Sequence, residues 1–355
     1  MKNVSEIINK GNSNIEQPPW VNMRHAWSAN DAKRDAGLSY PPAVVQIKNL
    51  NYKEMLDVCK LDEMRMECLE RKADEAAEGF VIRYADSGKA ADIDSFEYAS
   101  NSFLDVYVPR KLLDNPFCPV ILNVHGGGWF YGDKELYSHY CCHLAEKGFA
   151  VVSFNYRLAP QNKYPAALED VAYCVNYIYE NRKALHFDMD RFFMIGDSAG
   201  AQLAANYCII AANETYRKQL DFFTYDRLPA AVCLNCGAYV TDMRDDTIYQ
   251  WYMKNEDGLY AVSEKQRRLY HQQLDYLTKD FPPAYLMYSV NDDLRNHTLQ
   301  MNERLNECGA VHVLKAFGQE NPESGHVFHI NLYNPEGKTC NEEECAWFQT
   351  YMTEK

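Results

Sequence analysis

RFFMIGDSAGAQLAANYCIIAAN, residues 191–213, reads as a strand, a sharp turn and a helix in one line. The turn is Gly196-Asp197-Ser198-Ala199-Gly200, a Gly-x-Ser-x-Gly pattern between the apolar run RFFMI and the helical run AQLAANYCII. A serine on so tight a strand-to-helix turn must take a strained backbone, and the flanking glycines remove the side chains that would forbid it. The hydroxyl then stands clear of the sheet, and the helix starting there points its free N–H groups at any negative charge that develops. The pattern also arises by chance in glycine-rich turns. The strand before it, the helix after it and a second motif upstream set that reading aside.

That second motif is His125-Gly126-Gly127-Gly128-Trp129, at the end of the apolar run PVILNV. Three glycines leave backbone N–H groups uncovered and allow a substrate close approach, as an oxyanion hole requires. The expected donors are the amides of Gly126 and Gly127, with Ala199 as the third. A phosphate-cradling loop is the other use of such glycines, but no G-K-[ST] and no G-x-G-x-x-G follows. His125 is expected to brace the loop.

A serine nucleophile needs a histidine to take its proton and a carboxylate to orient that histidine. Downstream of Ser198 stand His271, His297, His312, His326 and His329. His271 falls in a polar helical segment, His297 at a helix start, and His312 at the far end of a strand. His326 follows the last strand and a polar loop, where a base is expected, and His329 competes with it. Asp292 and Asp293 sit just after the run PPAYLMYSV, one to orient the histidine and one to serve as a turn or cap residue.

Outward from these motifs, short apolar runs alternate with amphipathic segments: GFAVVSFNYR, AALEDVAYCVNYIYENRKAL, LPAAVCLNC, LQMNERLNEC, VHVLKAF and EEECAWFQTYM. This alternation predicts a mostly parallel α/β sheet with helices on both faces and a site beyond the strands' carboxyl ends. Residues 241–280 break it, being acidic, tyrosine-rich and too long for an ordinary connection. They read as an inserted helical cap. Residues 1–78 read as an N-terminal extension that contributes to the cap, with Trp20, His25 and Trp27 as an aromatic cover, and 79–355 as the catalytic domain.

The 355 residues carry a formal net charge of −14, which argues against nucleic acid or anionic membrane as a partner. The twelve cysteines are scattered, many in apolar runs, and read as buried free thiols in a reducing compartment. Cys233-x-x-Cys236 has metal-like spacing, but no second pair or nearby histidine accompanies it, so core cysteines are expected. No apolar leader segment and no membrane-length run stands in the sequence, so the expected location is cytoplasmic. No metal or organic cofactor is expected.

Taken together, VHGGGWFYGD, NYRLAPQNKYPAALEDV, GDSAG and DDLRN resemble the conserved blocks of the hormone-sensitive-lipase-like esterases of the α/β-hydrolase fold. The resemblance runs roughly from Gly79 to the C-terminus. It implies a helical cap, Asp292 rather than Asp293 as the orienting carboxylate, and His326 rather than His329 as the base. It also implies cofactor-free hydrolysis of a small-molecule ester, with a short acyl group, through an acyl-enzyme. The sequence departs from the family at Asp293, Asn296, Val327 and Ala201, and in the long loop before His326. An amidase or deacetylase using the same triad, and a small-molecule-binding protein on the same scaffold, are the alternatives. The oligomeric state is open, a homodimer included.

Overall fold

Strands form where the β-branched and aromatic runs lie. The computed structural model describes residues 17–70, 80–85, 92–221, 225–241 and 246–352. Nine strands make one sheet: β1 (Val44–Asn51), β2 (Phe80–Arg83), β3 (Phe103–Pro109), β4 (Cys118–Val124), β5 (Ala150–Phe154), β6 (Phe187–Asp197), β7 (Ala231–Asn235), β8 (Ala284–Ser289) and β9 (His312–Phe317). Their order is β2-β1-β3-β5-β4-β6-β7-β8-β9. The β1–β3 and β3–β5 pairs are antiparallel, and every other pair is parallel. Every residue of β4, β5 and β7 is buried, as expected of strands covered on both faces.

The helices are α1 (Pro19–Arg34), α2 (Val58–Glu70), α3 (Phe96–Ser100), α4 (Ser138–Glu146), α5 (Ala166–Glu180), α6 (Arg182–Leu185), α7 (Ala199–Ala212), α8 (Glu214–Leu220), α9 (Thr247–Met253), α10 (Glu264–His271), α11 (Arg295–Cys308) and α12 (Pro335–Thr350). Helix α7 follows β6 directly and is buried on all sides except at its last residue, so its N-terminus is fixed against the sheet. Among the described residues no helix is long and apolar enough to cross a membrane. All twelve cysteines are free thiols, and only Cys59 is exposed.

One feature differs from the sequence reading. The sheet begins well before residue 79: β1 lies between β2 and β3, so the boundary at 78/79 cuts through the sheet. The stretch from Val44 to Asn51 did not read as a strand because Gln46, Lys48 and Asn49 interrupt its apolar pattern, yet all three are buried. Lys48 is buried with its charge met by Asp105 at 3.0 Å and Glu135 at 3.1 Å.

Helix α1 belongs to the N-terminal stretch read as a cap contribution. Its Arg24 is 0% exposed and donates to the carbonyls of Phe130, Ile93 and Ala159, each at 2.8 Å, and to Gln161 Oε1 at 2.9 Å. This pins α1 across the segment that follows the glycine triplet. Of the inserted segment, Thr241 and residues 246–280 are described, and they form α9, α10 and a short 3₁₀ turn from Gln273 to Tyr276.

Candidate active site

Ser198 sits at the β6–α7 junction with φ 52° and ψ −119°, a left-handed conformation that costs energy for a residue with a Cβ. Its N–H donates to Asn235 O at 2.9 Å, and its carbonyl accepts from Ala238 N at 3.1 Å. These bonds to the neighbouring strand's end hold the strained turn. The flanking glycines are sterically required: a Cβ on Gly200 would lie 2.0 Å from Val124 O, and one on Gly196 would lie 2.8 Å from the Gly200 backbone.

The chain brings His326 and Asp292 to this serine from two separate strand ends. His326 Nε2 is 2.9 Å from Ser198 Oγ, and His326 Nδ1 is 2.8 Å from Asp292 Oδ2. The tautomer that satisfies both contacts has its proton on Nδ1, so Ser198 Oγ–H donates to Nε2. Asp292 Oδ1 accepts from Leu294 N at 2.8 Å. Burial works to raise the Asp292 pKa, but the hydrogen bond and charge of His326, with Leu294 N–H and Cys236, outweigh it and hold the carboxyl below its usual value.

The competing residues lie elsewhere. Asp293 is exposed. His329 is buried edge-on to Tyr140, and burial pushes its imidazole down to about 3. His271 meets the Tyr249 hydroxyl, His297 accepts from Val240 N at 3.3 Å, and His312 contacts Ala310 O and Asn302.

The glycine loop differs from expectation at one position. Gly126 N–H is already used: it donates to Tyr137 Oη at 2.9 Å. Gly126 is therefore not available to an oxyanion. No protein acceptor among the described residues takes the N–H groups of Gly127, Gly128 or Ala199, and all three residues line the cavity with Ser198. Gly127 has φ +108°, where a Cβ would lie 2.0 Å from Tyr131 O. His125 braces the loop as expected: it is 0% exposed, Nδ1 lies 2.8 Å from Gly126 O, and its ring stacks on Tyr156 at 4.1 Å. Burial pushes His125 down to about 4, so it is a neutral Nδ1–H donor.

The cavity over Ser198 has a volume of about 490 Å³. Helix α1 supplies Trp27, Asn30, Asp31 and Arg34 to its wall, and Asp246 and Ile248 come from the inserted segment. Of the expected aromatic cover, Trp27 is placed there. Trp20 instead stacks on Arg24, and His25 pairs with Asp94 at 2.9 Å. Cys233 and Cys236 are both buried core residues, as expected. Cys236 has a further contact: its Sγ meets Asp292, and the ligand-type atoms of Cys236, Asp292 and His326 lie within 4.8 Å of one another. This is the one metal-like constellation among the described residues, and two of its three members are already bonded to each other.

Comparison with known proteins agrees with this architecture. A family model described as the alpha/beta hydrolase fold matches residues 121–330. The chain is similar to the esterase LipI of Mycobacterium tuberculosis, 28% identical over 58% of this chain and 65% of the relative. It is also similar to the ethyl acetate hydrolase of Pseudomonas putida, 34% identical over 59% of this chain and 67% of the relative. The chain spans no more than about two thirds of the length of these curated relatives. Among solved structures, esterase B of Lactobacillus rhamnosis superposes with a TM-score of 0.71 at 21% identity, covering 98% of this chain and 96% of that one. With the family model matching more than half its length, the chain belongs to the alpha/beta hydrolase fold family that includes the hormone-sensitive-lipase-like esterases.

Proposed function

We propose that the protein is a serine carboxylesterase that cleaves esters of short-chain acids by way of an acyl-enzyme. The observation that carries this reading is the unbroken line of contacts from Ser198 Oγ through His326 to the buried Asp292, at 2.9 and 2.8 Å. His326 Nε2 takes the Ser198 proton as Oγ attacks the ester carbonyl. The developing oxyanion is met by the N–H groups of Gly127, Gly128 and Ala199, the last at the N-terminus of α7. His326 then returns the proton to the departing alcohol. Water, activated by the same imidazole, releases the acid. Asp292 holds the imidazole tautomer and favours its cationic form during the transfer.

The short acyl preference is supported by what lies past Trp129. The indole donates to Gln202 Oε1 at 3.1 Å and stacks on Tyr252 at 5.1 Å. Gln202 in turn bonds Gln273 at 2.9 Å. These side chains are buried behind Trp129, which lines the cavity, so the wall on that side is filled. Helix α1 and residues 246–280 of the inserted segment together act as the cap over the site.

The test is turnover of p-nitrophenyl esters from acetate to palmitate beside Ser198→Ala. The expected result is a maximum at short chains and a loss of roughly 10⁶ in kcat for the variant, as when a triad acts as one unit. Near-normal turnover by Ser198→Ala would overturn the mechanism. Turnover of matched anilides in place of esters would make the protein an amidase.

A further inference from the structure

Ten residues separate Gly126 from Tyr137 in sequence, and nothing in that spacing marks the tyrosine as part of the site. In space Tyr137 Oη bridges the two motifs of the site. It accepts from Gly126 N–H at 2.9 Å and donates to Asp197 Oδ2 at 2.9 Å. Asp197 is the residue immediately before the serine, so one hydroxyl ties the glycine loop to the nucleophile turn. We infer that Tyr137 is a positioning residue of the reaction, a clamp that sets the Gly127 and Gly128 N–H groups at a fixed distance from Ser198. The inference rests on the serine-hydrolase reading above.

The hydrogen-bond arithmetic admits this arrangement alone. A phenol has one proton to give and lone pairs to receive. With Gly126 N–H pointing at the oxygen, the phenolic proton is left for the Asp197 carboxylate. The fit is also steric: a Cβ on Gly126 would stand 2.3 Å from Asp197 Oδ2. The glycine is therefore required for close approach to Asp197, not for donation to substrate.

The arm that carries Tyr137 is itself anchored. It ends a 3₁₀ turn, Glu135–Tyr137. Glu135 N and Leu136 N both bond Asp133 Oδ1, at 2.8 and 3.0 Å. Lys134 Nζ reaches Asp105 on β3 at 2.9 Å and Glu135 at 2.8 Å. Lys48 on β1 joins the same two carboxylates and Ser138 Oγ. Buried charges paired this way are expensive to move. The turn is thus fixed to the sheet, and Tyr137 transmits that fixed position to the glycine loop. Tyr156 completes the grip, its single hydroxyl proton shared between the carbonyls of His125 and Gly126 at 3.0 and 3.2 Å.

The experiment is Tyr137→Phe in the full chain. Phenylalanine keeps the ring and deletes both bonds. Kinetics on p-nitrophenyl acetate are measured with the inhibition constant of a trifluoromethyl ketone, which becomes a tetrahedral oxyanion on the serine. The expected result is a fall in kcat of about 10- to 100-fold, the cost of misplacing donors at the reacting atom, with KM nearly unchanged. The ketone should weaken in step with kcat/KM. A wild-type kcat, or a rise in KM alone, would overturn the clamp. Ser198→Ala is run in parallel. If it keeps turnover, the hydrolase reading fails whatever Tyr137→Phe does. If it is inactive and Tyr137→Phe is normal, only the clamp fails. Should Tyr137→Phe not fold, Asp197→Asn reads the same link from its other end. It should show a smaller loss confined to kcat, and a change in KM alone, or none, would overturn the proposal.

Discussion

The Arg24 guanidinium donates to the Phe130 carbonyl at 2.8 Å, two residues past the glycine triplet, and this contact joins the N-terminal helix to the active-site loop. Arg24 lies over the Trp20 ring at 4.6 Å, and burial pushes its guanidinium down to about 10, so it remains charged at neutral pH. Removing Arg24 leaves three carbonyls and Gln161 Oε1 without their donor. Each unsatisfied acceptor costs about 1–3 kcal/mol, so Arg24→Ala should lower stability by about 3 kcal/mol or more. Lysine cannot restore it, because a single ammonium does not reproduce the planar fork that reaches four acceptors. Urea denaturation of both variants measures the loss. A change within experimental error for Arg24→Ala would show that α1 is held by its apolar contacts instead.

Ile248 offers a test of specificity. Its Cγ2 would lie 3.0 Å from a Cβ built on Gly128, so its side chain stands directly against the glycine loop in the cavity. Shortening it opens room beside the carbonyl under attack. A pocket gains about 1–3 kcal/mol per accommodated methylene, a factor of roughly 10 to 200. Ile248→Ala should raise the ratio of kcat/KM for hexanoate over acetate by about tenfold or more. An unchanged ratio would mean that Ile248 faces the alcohol and not the acyl group, and a panel varying the alcohol would then respond.

The thiols give a chemical test of the packing. Cys59 is exposed, Cys308 is half-buried, and the other ten are buried. Burial pushes the buried Cys118 and Cys345 thiols up to about 11 and 12, which leaves little thiolate to react. Brief iodoacetamide treatment at pH 8 should label Cys59 first and leave Cys236 intact beside Asp292. Peptide mass spectrometry reads the sites. Early modification of Cys236 would mean that the end of β7 opens readily.

The parts of this molecule written in local sequence were legible, and those made by distant contacts were not. Ser198 could be read because a strand, a turn and a helix must be contiguous to build it. Strands β4, β5 and β7 could be read because burial on both faces makes them nearly uninterrupted apolar runs. Strand β1 was hidden by Lys48, whose counter-charges Asp105 and Glu135 lie more than fifty residues away. The anchor of helix α1 was hidden for a related reason: Arg24 looks like a surface charge until Phe130, Ile93 and Ala159 enclose it. Gly126 was assigned to the oxyanion because its neighbours are glycines, whereas the group that takes its N–H is a tyrosine in a polar loop. Spacing gives no warning of such a partner. Cys236 had even less signal, since the contact that distinguishes it from Cys233 is with a carboxylate brought by β8.

Glu344, on α12, carries a prediction that depends on pH. It is 0% exposed, and burial pushes its carboxyl up to about 8. The neighbouring Asn235 and Cys340 oppose that rise, and the nearby Asp197 and Glu343 add to it. In the unfolded chain the same carboxyl ionises near its ordinary value of about 4.3. Between those two values the folded state holds a proton that the unfolded state has lost. Stability contributed by this group therefore falls as pH rises through that window and levels off above about 8. Glutamine at 344 has the same shape and no proton to lose. Glu344→Gln should then match wild type near pH 5 and exceed it in Tm by a margin that widens up to about pH 8, after which the two curves run parallel. Scanning calorimetry across pH 5 to 9 provides the comparison. A margin that does not vary with pH would show that the Glu344 carboxyl is neutral throughout, or that its charge is fully met in the folded protein.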